Sequence, residues 1–139
     1  MMHKAVNLIV VPGFLIALAA IVTFVIHLPT EATAAKIASS NPLTGDKDAI
    51  KAGKTLYRAN CALCHGIRAN GKGRGLPNSA DLRKFKKGYS KYVYTVLNGG
   101  KTMPRFGGMK PLSGDEINQV GAYLETVAIR GAVWLDPKK

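Results

Sequence analysis

The chain has 139 residues, a formal net charge of +12, two cysteines and three histidines. That length accommodates one small domain behind an apolar N-terminal segment. Cys61 and Cys64 with His3, His27 and His65 cannot supply four ligands to a structural zinc site, because His3 and His27 fall in the apolar segment. The positive charge accompanies no nucleic-acid recognition motif.

Ala5 to Leu28 is almost continuously apolar, and a helix of that length reaches roughly 36 Å, enough to cross a bilayer. We read residues 1–28 as an uncleaved transmembrane anchor. The competing reading is a signal peptide cleaved near Ala34, with Ala32-Thr33-Ala34 as the A-x-A site; the apolar run is long for that. Lys4 fits a cytoplasmic start. Residues 29–45, rich in Ala, Ser, Thr and Pro, lack apolar periodicity and read as a linker, which as a flexible coil would span roughly 20 to 25 Å. Residues 46–139 form the domain.

Asp46 and Asp48 open a helix whose later turns carry Lys51, Lys54 and Arg58, an order that suits the helix dipole. It leads into Cys61-Ala62-Leu63-Cys64-His65. Two thiols at this spacing add to the two vinyl groups of one haem, and the following histidine is carried beneath the ring as the proximal iron ligand. A redox dithiol would sit in a βαβ setting, which these neighbours do not suggest. Residues 67–85, with Gly71, Gly73, Gly75 and Pro77, read as loop. Tyr89, Tyr92, Val93, Val96 and Leu97 fall on one helical stripe that Asn98-Gly99-Gly100 stops.

His65 is the only histidine after residue 28, so a second imidazole is excluded and the methionine thioethers Met103 and Met109 remain. Met103 is the better candidate, since glycines free the backbone before it and Pro104 stiffens it after. Met109 reads as a packing residue, and an open or lysine-bound sixth position is the remaining alternative. Ser113 and Glu116 then make a capping box, Leu112 and Ile117 a hydrophobic staple, and Ile117, Val120, Gly121, Leu124 and Ala128 a buried face. Gly131 is expected to end this helix, and Ala132 to Leu135, with Trp134, to fold back as apolar cover.

With Cys-x-x-Cys-His and Met-Pro in place, the chain resembles the class I c-type cytochromes over about residues 46–130, in the manner of the compact bacterial members. The resemblance implies an all-α fold of three to four helices around one covalent haem c, here behind a single transmembrane helix. It implies cofactor binding by Cys61, Cys64, His65, Pro77 and Met103, with His65 and Met103 on the iron and the Pro77 carbonyl on the other ring nitrogen of His65. It also implies a glycine and aromatic pairing of first and last helices, for which Gly53, Tyr57 and Tyr123 are suited, and a haem domain on the periplasmic side of the inner membrane. The activity implied is one-electron transfer rather than enzymatic turnover. The alternatives are a fixed subunit of a respiratory, dehydrogenase or photosynthetic complex, and a haem sensor or peroxidase-like enzyme.

Between Arg68 and Lys91 eight basic residues face one acid, Asp81. A cluster of that kind beside the haem motif suits docking to an acidic redox partner through Arg83, Lys84, Lys86 and Lys87. Anionic lipid headgroups could also attract it.

Overall fold

The computed structural model describes residues 39–138; the anchor expected over 1–28 and most of the expected linker lie outside them. No helix among the described residues is long and apolar enough to cross a membrane. The described elements are α1 (Lys47–Asn60), α2 (Ala62–His65), a 3-10 turn (Leu82–Lys84), α3 (Tyr89–Asn98), a second turn (Arg105–Gly108) and α4 (Gly114–Thr126). No strand occurs among them.

Local chemistry sets the helix starts where the sequence placed them. The Asp46 carboxylate accepts from Ala49 N at 2.8 Å and caps α1. At α4, the Ser113 hydroxyl accepts from Glu116 N while the Glu116 carboxylate accepts from Ser113 N, so two amides that the first turn would orphan are satisfied reciprocally.

Helices α1 and α4 cross at Gly53, where the backbone of Gln119 leaves no room for a side chain. One turn on, the rings of Tyr57 and Tyr123 pack with centroids 5.3 Å apart. The core joins these to Tyr89, Tyr92, Ile117, Val120 and Leu124. Burying tyrosines requires their hydroxyls to be paired. Accordingly, Tyr57 donates to the Gly66 carbonyl, Tyr92 to the Ile117 carbonyl and Tyr89 to Asn118. Burial holds the phenols of Tyr57 and Tyr92 well above their usual range, so they remain neutral donors.

Two boundaries differ from those expected. Residues 39–45 belong to the domain surface rather than to a free linker: Asn41 is buried, donating to the Asn118 carbonyl and accepting from Leu43 N. Helix α4 ends at Thr126, short of Gly131, and Ala128 lies beyond it. The reason is competition for backbone partners: Ile129 N bonds the Arg83 carbonyl, Val133 N the Phe85 carbonyl, and Gly88 N the Val133 carbonyl. The chain after α4 is therefore a strap laid along residues 83–88.

Candidate functional site: an apolar cavity beside the Cys-x-x-Cys-His turn

Helix α2 is a single turn, and its last carbonyls find partners in the glycine-rich loop that follows. Gly71 N bonds the His65 carbonyl, Gly73 N that of Cys64 and Gly75 N that of Leu63. A Cβ at residue 73 would stand 2.2 Å from the Cys64 carbonyl oxygen, so only glycine permits this wrap. The loop thereby clamps the turn bearing Cys61, Cys64 and His65.

His65 is nearly buried, and its Nδ1 lies 2.9 Å from the Ala80 carbonyl. A carbonyl can only accept, so Nδ1 carries the proton and Nε2 keeps the lone pair that a metal needs. This corrects the expectation for Pro77, which is exposed and whose carbonyl does not meet the ring. The loop over residues 76–78 runs outside the clamp and returns at residues 79–82. There a Cβ at residue 71 would meet the Ser79 carbonyl oxygen at 2.4 Å, and Leu82 N bonds the Ala69 carbonyl. Ala80 thus arrives beside the imidazole as the chain re-enters, and nothing in its apolar side chain signals that role.

Met103 is placed by a tight turn after α3. Gly99 adopts a positive φ of 82°, Gly100 N bonds the Met103 carbonyl at 2.8 Å, and the Arg105 guanidinium donates to the Leu97 carbonyl. Cys61, His65 and Met103 all line one apolar cavity, walled by Leu82, Phe85, Val96, Phe106, Val120 and Leu124. Cys64 and Thr102 join Cys61, His65 and Met103 at an adjoining pocket. Met109 is half exposed and lines neither. Sequence reading missed the two phenylalanines; the positive φ of Phe106, forced by the turn it shares with Gly107, turns its ring to the wall.

The donor set fits a haem: two thiols and a properly protonated imidazole on one clamped turn, a thioether on the same cavity, and apolar walls. Burial, and then the neighbouring Cys64 sulfur, pushes the Cys61 thiol up to about 12. That is opposite to the lowered thiol of a redox-active Cys-x-x-Cys pair.

Charges near this site are unequal in freedom. The Arg83 guanidinium is forked onto the Asp81 carboxylate at 2.9 and 2.8 Å, and this hydrogen-bonded pairing holds the Asp81 carboxyl below its ordinary range. Lys84 reaches the same carboxylate at 4.0 Å. Arg83, expected to dock a partner, is thus engaged within the chain. Lys84, Lys86 and Lys87 are exposed.

Comparison with known proteins agrees with this geometry. Residues 48–124 match the family described as cytochrome c oxidase, cbb3-type, subunit III. The chain is 35% identical over 88 residues to cytochrome c6 of Limnospira maxima, covering 59% of this chain and 97% of that one. It is 35% identical over 89 residues to cytochrome c-554(547) of Halothiobacillus neapolitanus, covering 55% and 93%. Against the cbb3-type cytochrome c oxidase subunit FixP of Sinorhizobium medicae it is 34% identical over 87 residues, covering 55% of this chain but 29% of that subunit. No solved structure gives a significant match. With the family motif, the clamped histidine and near-complete coverage of two small cytochromes in agreement, the chain belongs to the c-type cytochromes and carries one covalently bound haem c.

Proposed function

We propose that this protein is a membrane-tethered electron carrier whose haem domain works on the periplasmic side of the inner membrane. The observation that carries the electron-transfer reading is the convergence of His65 and Met103 on one apolar cavity. When bound, the haem supplies a one-electron ferrous–ferric couple. The chain's residues do the rest. Cys61 and Cys64 would hold the group by thioether bonds, and the Ala80 carbonyl fixes the tautomer and orientation of His65, which raises its basicity as a ligand. Met103 would supply a second ligand to the iron from the same cavity. The apolar walls exclude water and, with the thioether, favour the less charged ferrous state. An iron held by both side chains would suit outer-sphere electron exchange rather than substrate turnover, in line with the electron carriers among the relatives. The apolar run over residues 1–28 supports the tether.

The exposed Lys84, Lys86 and Lys87 steer an acidic partner, because complementary fields speed encounter without requiring tight binding. A stopped-flow series on the full-length holoprotein tests this, with hexacyanoferrate(III) as anionic oxidant and tris(phenanthroline)cobalt(III) as cationic oxidant. Oxidation by the anion should slow as salt rises and slow by about tenfold on changing the three lysines together to glutamate. The cation should show the reverse trend. Rates indifferent to both salt and charge reversal would reduce the cluster to a solvated surface.

A second reading, a fixed subunit of a larger oxidase, is favoured by the match to a cbb3-type subunit. Copurification of stoichiometric membrane partners from native membranes would support it over a free shuttle.

A further inference from the structure

Every polar side chain lining the apolar cavity has a settled use except one. The Tyr92 hydroxyl donates to the Ile117 carbonyl and the Thr95 hydroxyl to the Lys91 carbonyl. The His65 Nδ1–H is spent on Ala80, and Cys61, the free ring nitrogen of His65 and Met103 are the groups proposed to bond the cofactor. Trp134 also lines the cavity. Its indole Nε1 is buried with no hydrogen-bond partner among the described residues.

This orphan is held in place with care. Its ring packs on Phe85 at 5.0 Å and on Tyr92 at 5.4 Å between centroids. The backbone on its N-terminal side is pinned by two bonds of Val133 to residues 85 and 88. On its C-terminal side the Asp136 carboxylate accepts from Ser90 N and from the Ser90 hydroxyl at the start of α3, and Asp136 N bonds the Ser39 carbonyl. An indole N–H can only donate, and leaving it unpaired in a buried site is unfavourable. Water is a poor remedy, since a buried water needs two to four polar partners and the neighbouring polar groups are already spent. The acceptor must come with the haem, and the groups on a haem that accept strongly are its two propionate carboxylates.

We propose that the Trp134 indole N–H donates a hydrogen bond to a haem propionate, which makes the strap after α4 part of the cofactor site. The proposal rests on the covalent haem. A charge-assisted bond of this kind offsets part of the carboxylate's negative charge beside the iron. Losing it therefore favours the ferric state and lowers the midpoint potential.

Trp134 is the single tryptophan of the chain, so an indole ¹⁵N-labelled full-length holoprotein gives one indole N–H resonance. In the diamagnetic ferrous state that proton should exchange with solvent on the order of 100-fold more slowly than free indole. Trp134→Phe keeps an aromatic ring against Phe85 and Tyr92 but removes the donor. It should retain covalent haem and low-spin ligation while its midpoint potential shifts downward. A freely exchanging indole proton, or a variant potential equal to the unmutated one, overturns the proposal while leaving the haem reading intact. A polypeptide without covalent haem overturns both.

Discussion

Met103→Ala is expected to convert the low-spin iron to a high-spin or water-ligated one and to lower its potential by about 0.1 V or more, within the roughly 0.8 V that axial ligands control. The thioether is a good ligand for ferrous iron, and alanine leaves that position to water. Met109→Leu should leave the absorption spectrum and potential nearly unchanged, because Met109 is 50% exposed and lines no part of the cavity. Ferric and ferrous absorption spectra with a potentiometric titration read both variants. Loss of low-spin ligation in the Met109 variant instead of the Met103 variant would reverse the assignment.

The second large effect lies at the helix crossing. Gly53→Ala would place a Cβ 1.8 Å from the Gln119 carbonyl oxygen and 2.9 Å from Val120 N. Both obstacles are backbone, so no rotamer change relieves the clash and α1 must move away from α4. That movement also separates Tyr57 from Tyr123. Overpacking in a well-filled core typically costs about 1–3 kcal/mol, and a collision with backbone this close should reach at least the upper end. For a domain of this size about 3 kcal/mol corresponds to roughly 12 °C or more in Tm. Thermal unfolding followed by far-UV circular dichroism of the holoprotein measures it; a loss below a few degrees would show that the crossing relaxes easily.

What was legible in the sequence was local or compositional. The helix start at Asp46, the Ser113 and Glu116 box and the apolar stripe of α3 each lie within a few residues, and the structure places all three as read; the Cys61, Cys64 and His65 motif is equally local. The contribution of Ala80 was not legible, because a backbone carbonyl carries no side-chain signature and its position depends on how the glycines at 71, 73 and 75 fold the loop back. The strap escaped for a related reason. Helical periodicity continued to Ala128, whereas the true end at Thr126 is decided by backbone bonds to residues 83–88, distant in sequence. By sequence Trp134 is apolar cover; that its indole nitrogen has no partner among the described residues is a property of the folded surroundings alone. Arg83 looked as free as the lysines beside it until its fork onto Asp81 was seen.

On the proposed reading, Cys61 and Cys64 would bind one haem covalently, with His65 as an iron ligand. Denaturing electrophoresis of the full-length protein, matured in a host that attaches haem to c-type cytochromes, tests it most directly when the gel is stained for haem peroxidase activity. Thioether bonds survive denaturation, so the haem stain should coincide with the protein band, and Cys61→Ala combined with Cys64→Ala should abolish it. Haem that runs free of the polypeptide, or a stain that persists in the double cysteine variant, would contradict the account.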